Sequence, residues 1–441
     1  MPAMASGRLI AAHLHRRAGF GALPHELDEL EHWSFDRLVT SLIAGLGEVD
    51  KAGNAVPPPH LTAVPVAAAD PDAYEGREHG ELLALTSWWV SRMIVTDTPL
   101  HEKLTLFLHE QFPTGYDKVR YIEFMYRQNQ LFRSLGAGAF DVLTKAAAAD
   151  PAMLLWLDAA VSIKKSPNEN FARELMERFT MGIGNYSETD VSEAARAFTG
   201  WEIDYATGEA RLDALNHDGG VKHVLGHVGD LSGDDVVEIV THTKASARWV
   251  TSRIWSLLAF PVSASAPVVG DLSPVYAKHL DMTELLEAIL RHPAFVSAQS
   301  VHALVKQPVE FVVGTMRLLG LSAASFGAST LQRWLADLGQ ELFAPPNVGG
   351  WGQNAYWVST AASAQQLEFA YEAAQAADLS AIASLTGRAS QQVAAVQRLL
   401  AIDSFSAGTY KALWDVADAK GAEAARNLVV LGLVSPEYLL N

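Results

Sequence analysis

Apolar residues recur along most of the chain at the three- and four-residue spacing of an amphipathic helix, and alternating runs of β-branched residues are nearly absent. Residues 86–95 are typical, and Thr98 and Pro99 then form a start signal for the next helix. The pattern predicts about fourteen or more helices. We therefore expect an all-α protein with at most a minor β-hairpin.

Three stretches break the helical pattern and are predicted to be long loops. Residues 50–80 are rich in Pro, Ala and Gly, which favours an extended excursion between helices. Residues 200–233 are rich in Gly and His and are the one place where a short hairpin could form. Residues 343–358 combine two Pro, three Gly and two Trp, a composition typical of an ordered loop. Because no fixed repeat is present, we predict one continuous helical domain over 1–441.

Composition excludes several classes of function. The 441 residues include 50 acidic and 33 basic side chains, and the net charge of −17 argues against nucleic acid or an anionic membrane as the main partner. Without cysteine there is no disulfide, thiolate nucleophile or cysteine-bound metal. No stretch approaches the roughly 20 uninterrupted apolar residues of a membrane span. The start of the chain lacks a clear signal peptide, so we expect a cytoplasmic protein unless a leader was removed.

The densest polar segment lies at residues 166–179. Ser166 and Glu169 have the spacing of a capping box, and Pro167 would then be the first residue of a helix over 167–181. On such a helix, two adjacent rows of polar side chains would form: Glu169, Arg173 and Glu177, and beside them Asn170, Glu174 and Arg178. The opposite face would be apolar and face the core: Phe171, Leu175 and Phe179.

Two interpretations of this stripe stay open. The rows could be a solvated ladder of ion pairs, which is the common role of charges on a helix surface. Alternatively, the stripe could face a cleft and hold carboxylates for acid–base catalysis or for a metal. Spacing alone does not decide between them.

His109 ends an apolar helix four residues before Pro113. A histidine at a helix C-terminus is favoured by the helix dipole, which is a purely structural explanation. It could instead be a general base or a ligand at the edge of a cleft. The zinc-protease pattern HExxH is absent here.

A second histidine-containing segment follows in the predicted loop, where residues 217–227 contain His217, Asp218, His223 and His227. A Gly-rich loop can fold such side chains toward one point, so a divalent metal is chemically allowed at His217 and Asp218. Separate surface histidines are the alternative.

Aromatic residues also concentrate on the Gly-bounded loops: Trp201, Trp351, Tyr356 and Trp357. Flat aromatic rings on rigid loops suit stacking on sugar rings or contact with an apolar surface of a partner. Packing of the loops themselves is the simpler alternative.

Several motifs, taken in chain order, resemble a bacterial family known as domain of unknown function 1800. The resemblance runs from about residue 13 to 360 and rests on RAGFG at 17–21, EKL at 102–104 with His109, DPAML at 150–154, NENFARELME at 168–177, YSETDV at 186–191, EAARA at 193–197, TGW at 199–201, His217-Asp218, Lys222, Lys306 with Pro308 and Glu310, Pro345-Pro346 and Gly350-Trp351. The resemblance implies no particular reaction. It does place the polar stripe, His109, His217 and Asp218 among characteristic family positions, whereas His223 and His227 fall outside the pattern.

The resemblance also carries expectations about compartment and partners. Many relatives look exported, which conflicts with the absence of a clear leader here. Genes of relatives often lie beside a family similar to phosphatases or sulfatases, which implies such a protein as a partner.

The leading hypothesis is an enzyme whose cleft holds carboxylates and histidine, a hydrolase or lyase acting on a neutral polymer such as a glycan. Its predicted catalytic residues are Glu174, Glu177, His109, His217, Asp218 and Arg173. Its predicted substrate-binding residues are Asn170, Trp201, Lys222 and Trp351. The alternatives are a non-catalytic protein that binds the phosphatase-like partner through its aromatic loops, and a metal-binding protein at His217 and Asp218.

Overall fold

The computed structural model describes residues 6–385, 387–417 and 422–441, and most of these residues are helical. The strands within these ranges form two small antiparallel sheets of two strands each. The predicted all-α class is therefore confirmed. None of the described helices combines the length and the apolar character that a membrane crossing requires.

The first eleven helices precede the polar segment. They are α1 (Gly7–Arg17), α2 (Pro24–Leu30), α3 (Phe35–Ala44), α4 (Lys51–Asn54), α5 (Val64–Ala69) and α6 (Pro71–Val95). They continue with α7 (Pro99–Gln111), α8 (Tyr116–Val119), α9 (Ile122–Leu135), α10 (Phe140–Ala148) and α11 (Pro151–Trp156). Proline at the first helical position recurs in this half, where its missing N–H costs nothing.

The remaining helices begin within the polar segment or follow it. They are α12 (Asn170–Glu174), which runs on into a π-helix (Leu175–Thr180), then α13 (Glu188–Ala197), α14 (Gly233–Thr241), α15 (Lys244–Leu258), α16 (Pro267–Tyr276) and α17 (Met282–Arg291). The last group is α18 (Pro308–Leu318), α19 (Ala328–Asp337), α20 (Thr360–Ala376), α21 (Ser380–Ala383), α22 (Ala389–Leu399), α23 (Ala407–Ala417), α24 (Ala422–Leu433) and α25 (Pro436–Leu439). Short 3-10 turns lie at 159–161, 293–296, 323–325 and 354–357.

Two apolar clusters form the interior. One is built largely from α1, α3, α10 and α13–α17, and the other from α6, α18–α20 and α22–α24. Helix α7 contributes Leu104 and Leu108 to the first cluster and Leu106 to the second. As a result, every residue from Glu102 to Gln111 is buried, and the polar side chains of this helix must find partners inside the protein.

The segment at 50–80 is more helical than the expected excursion. It contains α4, α5 and the first ten residues of α6, which leaves 55–63 as its longest stretch without helix. The side chain of Asp50 caps α4 by accepting a hydrogen bond from the N–H of Gly53 at 2.8 Å. Local capping therefore gives structure to a stretch whose composition favours a loop.

Two hairpins occupy the segment at 200–233, where the sequence indicated room for one. Strand β1 (Trp201–Asp204) pairs with β2 (Glu209–Leu212), and β3 (Lys222–Val224) pairs with β4 (His227–Gly229). The second hairpin packs on α13, whose carboxylates accept backbone N–H groups at its edge. Glu193 accepts from His223 at 2.9 Å, and Asp190 accepts from Leu225 at 2.7 Å.

Candidate functional site

The polar segment begins its helix three residues later than predicted. Asn168 Oδ1 accepts the N–H of Asn170 at 2.8 Å, and α12 starts there. Ser166 instead forms a bridge with Ile163 across a tight turn. The predicted capping box with Pro167 as first helical residue is therefore wrong, because the Asn168 side chain provides the local hydrogen bond that initiates the helix.

The second half of the segment is a π-helix. The N–H of Met181 reaches the carbonyl of Met176 at 3.0 Å, the five-residue step of a π-turn. Phe171, Leu175 and Phe179 are all buried, as the spacing predicted. A π-turn adds one residue to the helical repeat, so side chains beyond it no longer continue the rows of a regular α-helix.

Four polar side chains meet at this turn and are named here the π-turn cluster: Glu174, Glu177, Arg178 and Tyr186. Arg178 Nε lies 3.9 Å from Glu174 Oε2 and 3.5 Å from Glu177 Oε1. The hydroxyl of Tyr186 donates to Glu177 Oε2 at 2.9 Å. One guanidinium is thus shared by two carboxylates.

The two carboxylates of the π-turn cluster have unequal surroundings. The side chain of Glu174 is 16% exposed, and its Oε2 is shielded from solvent without a hydrogen-bond partner. Burial raises the pKa of Glu174, which favours its protonated form. Burial and the neighbouring Glu177 raise the pKa of Tyr186 to about 12, so its hydroxyl remains a donor to Glu177. Such an inequality is the usual basis for assigning one carboxyl as acid and the other as base.

Distant helices stabilise the π-turn. The indole N–H of Trp249 on α15 donates to the carbonyl of Arg178 at 2.8 Å. The side-chain amide of Gln111 on α7 donates to the carbonyl of Phe179 at 2.7 Å. These carbonyls lie at the C-terminal end of a helix, where backbone acceptors lack intrahelical partners.

Trp249 and the loop at 343–358 lie next to the cluster. Gly182, with φ of +79°, packs so closely on the Trp249 ring that a Cβ atom there would stand 2.7 Å from it. A Cβ atom at Gly349 would lie 3.6 Å from Arg178 Nη1. Trp249 itself is half-buried beside the cluster.

Sequence reasoning missed Tyr186 and Trp249 as members of the site. Tyr186 follows Gly182 and Gly184, both with positive φ, and this turn brings the chain back to Glu177. The closely spaced glycines after the helix were the available signal for that return. No local signal connects Trp249 with residue 178, because the contact depends on how α15 packs.

The other polar residues of the segment are engaged on its outer surface. Arg173 pairs with Glu169 at 3.0 Å and with Glu188 at 2.7 Å, and this pairing raises its pKa. Asn170 Nδ2 donates to Asp158 at 3.4 Å. The charged-ladder interpretation therefore describes Arg173 well, and Glu174 also lies next to its predicted row partner Arg178. Glu177 instead contacts Arg178 and Tyr186 and not Arg173.

His109 lies in the interior, 2% exposed, in a second set of polar side chains that we name the buried network: Trp89, Arg92, Glu102, His109, Asn129 and Arg133. Asn129 Nδ2 donates to His109 Nε2 at 3.1 Å, which assigns the ring proton to Nδ1. Burial, with a smaller effect of Arg133, lowers the pKa of His109 to about 3. The structure does not bring this neutral, enclosed ring to the π-turn cluster.

Glu102 is the centre of the buried network. It accepts hydrogen bonds from the indole of Trp89 at 3.1 Å, from Arg92 at 3.1 Å and from Arg133 at 2.8 and 3.0 Å. Arg133 in turn donates to Asn129 at 2.7 Å. Although burial opposes ionisation, the charges of Arg133 and Arg92 hold the pKa of Glu102 below its usual value.

His217, Asp218 and Lys222 hold the hairpin segment in place. Asp218 forms a two-pronged ion pair with Arg196 at 2.8 and 3.2 Å, which lowers its pKa to about 2. The ring of His217 contacts the carbonyl of Thr199 at 2.9 Å. Lys222 is fully buried and donates to the carbonyl of Gly220. These partners give all three residues a structural role.

A metal site does not emerge from this segment. Across the part of the chain that the structure describes, no three His, Asp or Glu side chains are grouped so as to hold a metal ion. His223 and His227 are exposed on the two strands of the second hairpin. The predicted metal at His217 and Asp218 therefore lacks a third ligand among these groups.

The aromatic residues of the loops differ in exposure. Trp351 is buried, with 4% of its surface exposed, and Trp201 is half-buried in β1. Trp357 is also buried, whereas Tyr356 is 66% exposed. Packing of the loop accounts for the position of Trp351, which cannot serve as an open wall of a binding site.

Fold and site together define a mainly α-helical protein that carries a partly buried pair of carboxylates where α12 continues into a π-helix. The chain belongs to the DUF1800 family of proteins of unknown function, whose family model matches residues 13–440, nearly its whole length. The resemblance seen in the sequence motifs is thereby confirmed. Neither the curated proteins nor the solved structures include a significant match to the chain.

Proposed function

We propose that this protein is a hydrolase or lyase in which Glu174 and Glu177 act as a general acid–base pair on a neutral polymer such as a glycan. The observation that supports this proposal is the environment of Glu174. Its carboxyl is half-buried, its pKa is raised, and its Oε2 has no hydrogen-bond partner. Glu177 provides a second carboxylate beside it. A raised pKa makes a carboxyl a better proton donor to a leaving group.

Each member of the π-turn cluster has a role in this proposal. Glu174 protonates the leaving oxygen, and Glu177 activates a water molecule or stabilises the developing positive charge. Tyr186 positions Glu177 through its hydrogen bond at 2.9 Å. Arg178 links the two carboxylates and takes the electrostatic role that the sequence assigned to Arg173. Trp249 offers a half-buried ring for a sugar face.

The test is release of reducing ends from a panel of neutral polysaccharides by the full chain. Glu174→Gln keeps the shape of the side chain but not the transferable proton, so turnover should fall by about a hundredfold or more. Its free energy of unfolding should change by less than about 1 kcal/mol, because no hydrogen bond to Oε2 is lost. Glu188→Gln is the matched control, since this exposed glutamate lies outside the π-turn cluster and pairs with Arg173.

Two results would count against the acid–base proposal. If Glu174→Gln retains the turnover of the parent protein, Glu174 is not the acid. A loss of more than about 3 kcal/mol of stability would instead mark Glu174 as one partner of a structural ion pair.

Binding to a phosphatase- or sulfatase-like protein is the second candidate function. One observation favours it: Tyr356 and Val358 are each 66% exposed on the loop at 343–358. Adjacent exposed apolar side chains are typical of a contact surface. Co-purification with such a partner should be lost in Tyr356→Ala and kept in Glu174→Gln, whereas loss in both variants or in neither would contradict a contact at this loop.

A further inference from the structure

Two adjacent cavities lie beside α1 and share no residue with the π-turn cluster. The outer cavity has a volume of about 210 Å³ and the inner cavity about 20 Å³. Both are lined by Ala12, Arg16, Leu27 and Ala401. Arg16 therefore lies at the boundary between them.

The outer cavity is lined by three arginines and one carboxylate. Arg8 pairs with Asp28 at 2.7 Å and with Glu31 at 3.1 Å, and Arg398 pairs with Asp28 at 2.5 Å. The carboxylate that lines the cavity is Asp403, and burial raises its pKa, which weakens it as a counter-charge. Arg16 has no carboxylate within 4 Å among the residues that the structure describes.

The guanidinium of Arg16 has unused donors. Nη1 donates to the carbonyl of Ala401 at 3.1 Å. Nε is shielded from solvent without a partner, and Nη2 makes no hydrogen bond with any described residue. A guanidinium with free donors at a cavity is suited to an oxyanion, which can accept two parallel hydrogen bonds.

A second basic side chain lies behind Arg16, at the inner cavity. Lys306 lines the inner cavity, where its ammonium donates to the carbonyl of Tyr438 and stands 3.4 Å from the centre of that ring. No described carboxylate lies within 4 Å of Lys306, because the nearby Glu310 pairs with Lys103. Burial, with Arg16 and Lys103 adding to it, lowers the pKa of Lys306 well below its usual value.

A buried positive charge without a counter-ion is costly, and an anion in the neighbouring cavity would reduce that cost. We propose that the outer cavity binds a compact oxyanion, the phosphate or carboxylate group of a small molecule, on Arg16 with Arg8 and Arg398 at its rim. This site is independent of the proposed reaction at Glu174.

The proposal can be tested by isothermal titration calorimetry of the full chain at constant ionic strength. Inorganic phosphate and acetate are titrated in separate experiments. We expect saturable binding of at least one anion, and the tighter of the two identifies the group that the natural ligand carries. If neither anion binds at concentrations up to about 10 mM, the proposal is overturned.

Variants locate the site. Arg16→Gln should weaken binding at least about tenfold, since it removes a charge-assisted pair of hydrogen bonds. Arg398 lies at the rim and its side chain is 60% exposed, so Arg398→Gln should weaken anion binding about threefold. This variant provides the test if Arg16→Gln does not fold. Arg333→Gln is the matched control, because this arginine pairs with Asp337 and Glu368 and lines neither cavity. Equal affinity in all variants would mark the binding as non-specific and would also overturn the proposal.

Discussion

The buried network around Glu102 and the π-turn cluster around Glu174 are both built from glutamate beside arginine, yet their carboxylates are satisfied to different degrees. Both oxygens of Glu102 accept hydrogen bonds, and Arg133 donates two of these bonds. Glu174 has an oxygen with no donor, and its arginine stands 3.9 Å away. Glu102 is thus held ionised, while Glu174 is favoured as an acid.

The comparison teaches that residue type alone does not show how firmly a buried carboxylate is held. Completeness of hydrogen bonding does, because a fully paired buried charge is fixed in place, whereas a carboxyl with an unpaired oxygen has fewer interactions that favour its ionised form. The following predictions perturb the two regions in turn, beginning with the largest effect.

Removing the charge of Glu102 should have the largest effect. Glu102→Gln leaves Arg133 and Arg92 without their shared carboxylate in the interior, and we expect a loss of about 3–5 kcal/mol in the free energy of unfolding. Urea denaturation measures it. Glu238→Gln is the control, since this exposed glutamate pairs with Lys145 at the surface and should change stability by less than about 0.5 kcal/mol. Equal effects of the two variants would contradict the role assigned to the buried network.

The next largest effect is expected when the pH is lowered, because His109 in the buried network then favours unfolding. The folded pKa of His109 is about 3, below the value of about 6.5 expected when unfolded. At a pH between these two pKa values, His109 is protonated in the unfolded chain but not in the folded protein. The free energy of unfolding therefore falls as the pH drops through this range, by up to about 1.4 kcal/mol per pH unit.

Comparison with His109→Gln isolates this contribution from that of other buried histidines such as His13 and His15. Denaturation at pH 7, 6 and 5 should give a shallower loss of stability for the variant. Parallel curves for the two proteins would show that His109 is accessible to protons in the folded state.

The smallest expected effect is on the π-turn cluster. Tyr186→Phe removes one partly exposed hydrogen bond to Glu177 and should cost about 0.5–1.5 kcal/mol. If Glu177 takes part in turnover, kcat should fall in Tyr186→Phe, because Glu177 loses the hydrogen bond that positions it. An unchanged kcat would remove Tyr186 from the site.

The sequence was sufficient to predict the helical class and the apolar face of the polar segment, because both follow from local spacing. Phe171, Leu175 and Phe179 illustrate this. The π-turn was not predictable, since its carbonyls are satisfied by Gln111 and Trp249, which are distant in the chain. Interactions between distant helices thus decided the phase of Glu177.

His109 shows a second limit of sequence reasoning. Its position before a proline favoured a helix end at a cleft, but α7 lies between two apolar clusters and is buried on all sides. The run of apolar residues at 104–108 was the signal for complete burial. Trp351 is similar, because a Gly-bounded loop can turn its aromatic residue inward as readily as outward.

The carboxylates of α13 beside the second hairpin have a consequence for self-association. An unpaired strand edge is a template on which another chain can add a strand, and a short hairpin is poorly protected against this. Glu193 accepts the N–H of His223 on β3, and Asp190 accepts the N–H of Leu225 in the turn that follows β3. Replacing both acids by alanine would therefore convert a capped edge into an aggregation-prone one, even where the helices around it keep their structure.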